Sequence, residues 1–243
     1  MNKRNAMKIV IMLAATLAAS SALMAADSAG KDDVNGAIQK LAAADNYSWT
    51  TTTESTLFKP GPSHGKTEKG GYTYVEFSMQ DNKLEAVVKG DKSVVKTGDG
   101  WQTLEEAAQA QGDGGFNAGR FMSRRMKDYK LPAAEAQDYA GKSKEIAKAD
   151  GAYAGDLTEE GAKALITATG RRGGGPPPAI TNPRGSVKFW IKDGVLTKYQ
   201  INVKGSVDRD GEEVKIDRTT TVEIKDIGTT KIEVPDEAKK KLS

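Results

Sequence analysis

Residues 186–234 read SVKFWIKDGVLTKYQINVKGSVDRDGEEVKIDRTTTVEIKDIGTTKIEV. Apolar residues alternate with polar ones through most of this stretch. Phe189 and Ile191 begin the set, Val195, Tyr199, Ile201, Val203 and Val207 continue it, and Val214, Ile216, Val222, Ile224, Ile232 and Val234 complete it. A period of two is the signature of a half-buried strand, so the stretch reads as a four-stranded antiparallel meander with one apolar and one wet face.

The connections test that reading, because residues opposite one another in a sheet must share a face. Lys192-Asp193-Gly194 suits a three-residue loop with glycine at a positive φ, Asp210-Gly211 a two-residue type I′ turn, and Asp226-Ile227-Gly228 a second three-residue loop. These lengths predict the pairs Val187–Tyr199, Val207–Val214, Tyr199–Val222 and Val222–Ile232. On the other face they set Lys188 and Glu223 against Lys198, Lys231 against Glu223, Asp217 against Lys204, and Leu196 against Trp190. Exposed cross-strand ion pairs contribute only ~0.2–1 kcal/mol each, so this ladder chiefly marks the wet side.

At the start of the chain, Lys3, Arg4 and Lys8 precede an apolar run from Ile9 to Ala26 that ends in small residues before Asp27. This is the pattern of a secretory signal peptide over residues 1–26, leaving residues 27–243 as a single domain in the periplasm or outside the cell. Removing it takes three of the 36 basic residues and none of the 33 acidic ones, so the remainder is formally neutral. No basic excess is left to draw the protein onto nucleic acid. The chain has no cysteine, which excludes disulfides and lipid attachment through an N-terminal cysteine. No second apolar run is long enough to span a bilayer.

Val34, Ala37, Ile38, Leu41 and Ala42 follow helical spacing behind Asp32, a candidate cap. Tyr47 to Phe58 reads as a threonine-rich strand with Trp49 and Leu57 on one face, ended by Pro60-Gly61-Pro62, and a polar loop is expected to Gly71. Tyr72 to Gln80 and Lys83 to Lys89 form a hairpin about Asp81-Asn82, with Val75 opposite Val88, Phe77 opposite Ala86 and Met79 opposite Leu84; Gly90-Asp91 turns into Ser93 to Thr97. Thr103-Leu104-Glu105-Glu106 is a capping box. In Phe116 to Tyr129 the set Ala118, Phe121, Met122, Met126 and Tyr129 shares a helix face, and Arg125 interrupts the pattern. Leu131 to Lys148 reads as a helical turn after Pro132 followed by a weak strand around Ile146, with a further strand at Tyr153. Glu159 to Thr169 is a helix opened by Asp156 or Thr158. Residues 171–185, with Gly173-Gly174-Gly175-Pro176-Pro177-Pro178, read as a mobile loop. Pro235 to Leu242 suits a last helical turn.

Motifs for chemistry fail on context. Gly61-Pro62-Ser63-His64-Gly65-Lys66-Thr67 imitates a phosphate loop with one residue too few between its glycines and no helix after it. His64 is the only histidine, which leaves no basis for a histidine metal site or a Ser-His-Asp triad. Glu76, Glu85 and Glu223 are the strand carboxylates available for glycoside chemistry, and lysines already account for Glu223. No catalytic, metal or cofactor residue is assigned.

Arg218 falls on the apolar face opposite Val203, where an unpaired charge is costly. It either pairs with Asp236 at the sheet margin, the preferred reading, or stands at a cavity rim and meets an anionic head group. The apolar face needs a cover, which the four short amphipathic helices supply, with the N-terminal strands extending the sheet. The fold class is therefore α+β, an antiparallel sheet covered on its concave side by helices.

The helix ending Leu41-Ala42-Ala43-Ala44, the strand opening Tyr47-Ser48-Trp49, Trp101 before a capped helix, and the closing Thr229-Thr230-Lys231-Ile232-Glu233-Val234-Pro235 together resemble the periplasmic lipoprotein-carrier superfamily, with its LolA-type carriers and LppX/LprG-type lipid-binding proteins. The resemblance implies a curved half-barrel closed by helices around an apolar cavity for acyl chains. The chain departs from the LppX/LprG type in lacking the lipobox cysteine, and it carries the loop at 171–185.

Three classes of function follow: a carrier for lipid or lipoprotein acyl chains, an envelope interaction or regulatory module with a filled core, and an enzyme. The carrier is preferred, without cofactor or nucleic-acid partner. Its cavity is expected to be lined by some of Trp49, Val75, Phe77, Phe121, Met122, Met126, Phe189, Tyr199 and Val222.

Overall fold

The computed structural model describes residues 30–79, 82–109, 117–170, 179–209 and 211–243. The leader at 1–26 and residues 171–178 of the glycine- and proline-rich loop lie outside them. The strands are β1 (Asn46–Ser55), β2 (Ser63–Glu68), β3 (Thr73–Met79), β4 (Asn82–Lys89), β5 (Lys92–Thr97), β6 (Gly100–Thr103), β7 (Ala147–Ala149), β8 (Ala152–Asp156), β9 (Ile180–Lys192), β10 (Val195–Arg209) and β11 (Glu212–Lys225). They form one curved, unclosed antiparallel sheet in the order β6-β5-β4-β3-β2-β1-β11-β10-β9-β8-β7. The helices are α1 (30–43), α2 (Leu104–Gln109), α3 (Ala118–Lys127), α4 (Pro132–Gly141), α5 (Glu159–Gly170) and α6 (Asp236–Lys241).

Two meanders meet where β1 pairs with β11, with Trp49 opposite Ile224 and Thr51 opposite Val222. This corrects the expected fourth strand, and with it the pairs Val222–Ile232 and Glu223–Lys231. After the turn at Asp226 and Gly228, both at positive φ, the Gly228 N–H donates to the Asn46 carbonyl at 2.9 Å and the Thr230 N–H to Asn46 Oδ1 at 2.6 Å. Those bonds carry the chain past the end of β1 and leave the edge of β11 to β1. Ile232 and Val234 pack instead with Val87, Val94, Trp101, Ala238 and Leu242 in a small core on the outer face of β4–β6.

The β10–β11 register is as expected throughout, with Tyr199 opposite Val222, Val203 opposite Arg218 and Val207 opposite Val214. The β9–β10 hairpin is corrected by two residues: Tyr199 faces Phe189, not Val187, and Lys198 faces Trp190, not Lys188. Asp193 and Gly194, at φ 53° and 74°, close a two-residue turn, and a bulge between Leu196 and Lys198 absorbs the extra residue. The bulge also turns Leu196 into the core, where it is fully buried. In β3–β4 the register likewise moves by two, with Val75 opposite Ala86 and Phe77 opposite Leu84.

Ser63–Glu68, expected as a loop, is a central strand. It needs few large apolar side chains because Trp49 of β1 lies across Gly65. β1 ends at Ser55, leaving Leu57 and Phe58 exposed and Leu57 off the apolar face. β9 begins at Ile180, so 180–185 belongs to a strand and not to the loop. Asp32 lies within α1, which already includes residue 30, and so does not cap it. Leu131–Lys148 holds a full helix, α4, opened by Pro132. The capping box is formed, with Thr103 N–H donating to Glu106 Oε2 at 2.8 Å and Glu106 N–H to Thr103 Oγ1 at 3.2 Å.

The main core lies on the inner face. Val34, Ile38 and Leu41 of α1, Met122 and Met126 of α3, Ala136 and Ala140 of α4, and Ile166 of α5 pack there against the sheet. On the opposite face Lys198 pairs with Glu223 and Lys204 with Asp217, and the Lys198 ammonium stands 5.1 Å from the centroid of the Trp190 ring.

Candidate functional site

The inner face brings all nine expected lining residues into one cluster. Trp49, Val75, Phe77, Met122, Met126, Phe189, Tyr199 and Val222 are buried in it, and Phe121 is half-buried against it. Strand alternation accounts for the sheet members, and the spacing of 122 and 126 for the two methionines of α3.

Within this apolar surround lies a polar group that the sequence reading missed. Glu135, in the first turn of α4, accepts hydrogen bonds from Tyr139 Oη at 2.9 Å and from Tyr199 Oη. Tyr139 is one helical turn from Glu135, whereas Tyr199 reaches across from β10. Their rings meet edge to face at 6.0 Å. Burial raises the pKa of both tyrosines well above its ordinary value, and the Glu135 charge adds to the effect. The same two causes raise Tyr129, whose hydroxyl is hydrogen-bonded by Trp49.

The charge of this carboxylate acts on two guanidinium groups. Arg125 of α3 stacks 4.5 Å from the centroid of the Phe77 ring, and Arg218 of β11 donates from Nη2 to the Leu165 carbonyl of α5 at 3.3 Å. Loss of water lowers the pKa of each, and the charge of Glu135 works in the opposite direction on both. Arg218 therefore does not pair with Asp236, which binds Lys239 at 3.0 Å on the outer side. The course of the chain after Gly228 is the reason, because it carries Asp236 over to the outer core.

Tyr129, Glu135 and Arg218 are half-buried and Arg125 is exposed. A concavity of ≈ 410 Å³ lies where β8 and β9 meet the segment before α5, lined by groups of both signs, among them Lys144, Asp156, Glu159, Arg184 and Lys204. Among the described residues there is no cluster of three or more histidine, cysteine or acidic side chains fit to hold a metal, and no helix is long and apolar enough to cross a membrane.

Among solved structures, the chain is similar to LprF from Mycobacterium bovis, at 13% identity and a TM-score of 0.42, over 87% of this chain and 98% of that one. It is also similar to a LolA superfamily protein from Nitrosomonas europaea, at 10% identity and a TM-score of 0.28, over 83% and 96% of the two chains. No protein-family model matches the chain, and no curated protein does.

Arg125 was visible in the sequence as the residue that breaks the α3 pattern. Glu135 and Tyr139 were legible only as an i, i+4 pair behind a helix-opening proline, a signal too common to mark a site.

Proposed function

We propose that this chain is a carrier or binding protein for lipid or lipoprotein acyl chains, held in a hollow between the inner face of the sheet and helices α3, α4 and α5. One observation carries the reading: beside the apolar core of the inner face, Phe121 and Tyr129 keep part of their surface accessible and Arg125 of α3 lies over the Phe77 ring. A hollow opening between α3 and the sheet at this place would have Phe77, Phe121, Met122 and Met126 as its walls. Each methylene moved from water into such a space contributes ~0.8 kcal/mol, so a long chain binds without an elaborate polar motif. Methionines adapt to chains of different shape. Export to the periplasm or beyond, through removal of residues 1–26, belongs to the same proposal, and no step of it requires a catalytic group.

Displacement of a fluorescent fatty-acid analogue from delipidated protein tests the reading. Saturable binding is expected, weakened by Phe121→Trp or Met126→Trp, which fill the space, and unchanged by Lys198→Ala on the outer face. Absence of saturable binding in folded protein would leave the interaction module, with its filled core, as the better account.

A further inference from the structure

We infer that the ligand of this hollow is an anionic amphiphile whose carboxylate or phosphate head is held between Arg125 and Arg218. This rests on the carrier reading and adds the chemical class of the ligand.

The argument begins with the partners of Glu135. Both of its oxygens accept from tyrosine hydroxyls, Tyr139 and Tyr199, and it forms no salt bridge with either arginine. Among the described residues, neither Arg125 nor Arg218 has a carboxylate within 4.0 Å. A guanidinium carries five N–H donors. Arg218 gives one to the Leu165 carbonyl, and Arg125 lies over the Phe77 ring. Most donors of the two cations are therefore without a protein partner among the described residues, and Arg218 holds its charge in a half-buried position, where an unpartnered charge is costly. Against the single carboxylate they leave one net positive charge.

An oxyanion answers each of these conditions. Its oxygens match the planar guanidinium fork, which binds carboxylate and phosphate in a bidentate manner. The charge of Arg125 acts unfavourably on Arg218, and an anion placed between them would offset it. They also come from opposite walls, Arg125 from the helical layer and Arg218 from the sheet. Phe77 beneath Arg125 and Phe121 one helical turn before it place apolar surface beside the charges, which suits a head group attached to an acyl chain better than a free ion.

The test is a ligand series on delipidated, folded protein, read by displacement of an uncharged fluorescent acyl probe. A fatty acid, a lysophosphatidic acid and an uncharged monoacylglycerol of equal chain length are compared, with inorganic phosphate as the free anion. Both charged amphiphiles are expected to bind about tenfold or more tightly than the monoacylglycerol. Arg125→Gln and Arg218→Gln should each remove most of that preference while leaving the monoacylglycerol within about twofold. Preference for phosphate over carboxylate would separate the two head groups. Equal affinity for charged and uncharged amphiphiles would overturn the inference while leaving the carrier reading intact, and no binding by any of them would remove both. Displacement of the charged amphiphiles by millimolar inorganic phosphate would also overturn it, in favour of a soluble anion. The series on the unaltered protein decides the question even where a variant fails to fold.

Discussion

Trp49 lies flat across Gly65 on the neighbouring strand: a Cβ at position 65 would stand 2.0 Å from Trp49 Cζ2 and 2.3 Å from Cε2. Gly65 has no positive φ, so its lack of a side chain serves packing and not backbone freedom. The indole is 4% exposed, 5.7 Å from the ring of Tyr47, and cannot swing aside as a flexible chain could. Gly65→Ala should therefore destabilise the fold by about 1–3 kcal/mol, the usual range for overpacking, measured by urea unfolding. Gly90→Asn in an exposed turn, with nothing within 4 Å of its would-be Cβ, should change stability far less.

The tyrosines of the site make stability depend on alkaline pH. Burial pushes Tyr47 up to about 12 and raises Tyr129, Tyr139 and Tyr199 above the ordinary value of 10.0. A raised folded-state pKa means that above pH 10 the unfolded chain sheds protons the folded chain keeps. The stabilisation is complete below pH 10 and is lost as pH climbs through the folded values. Denaturant midpoints should accordingly fall from pH 10 to 12. Phenolate absorbance in the folded protein should lag behind that of the unfolded chain. Tyr199→Phe should reduce the lag and weaken the fold by roughly 1.5–3 kcal/mol through loss of a hydrogen bond to a carboxylate. A lag unchanged in Tyr199→Phe would contradict its buried placement.

The outer core gives a prediction about the C-terminal segment. Leu242 is 3% exposed and packs with Trp101, Val87 and Val94, whereas its neighbour Lys241 reaches Glu106 at 2.7 Å with both side chains over 40% exposed. Leu242→Ala should cost about 2–3 kcal/mol, the low end for a leucine truncation because the cluster is small and near the surface. Lys241→Ala should cost less than about 1 kcal/mol. Removing residues 235–243 should shift Trp101 emission to the red. Unchanged emission would mean that α6 does not cover that indole.

What could be read from the sequence follows from what alternation records. It records the face of each side chain, so the register of β10 on β11 was legible through Asp210-Gly211, and the apolar inner face was assigned at most positions. It is blind to displacements of two residues, which keep every face unchanged, as in β3–β4 and in β9–β10 beyond the bulge, and it does not foresee the bulge itself, which moved Leu196 from the wet face into the core. Ile232 and Val234 alternate like strand residues, but their burial is on the far side of the sheet, a distinction no periodicity carries. β2 was hidden because its share of the core is supplied by Trp49. That the nine residues named from the sequence share one apolar cluster was legible because they are apolar and periodic. Glu135, Tyr129 and Tyr139 were not, since what makes them a site is the meeting of α4 with β10 and of α3 with β1, contacts between residues distant in the chain.

Arg125 offers the sharpest separation of stability from function. Its guanidinium has no hydrogen-bond partner or carboxylate within reach among the described residues, and it lies over the Phe77 ring, a contact worth about 0.5–1 kcal/mol at an exposed site. The side chain is exposed, so its charge keeps contact with water, and Arg125→Met, which keeps the length and the contact with Phe77 but discards the charge, should change the stability read from the urea midpoint by less than about 1 kcal/mol. The same variant should weaken binding of an anionic amphiphile by about tenfold if Arg125 holds its head group. A lower midpoint in Arg125→Met, with ligand affinity untouched, would make the stacking on Phe77 its whole role.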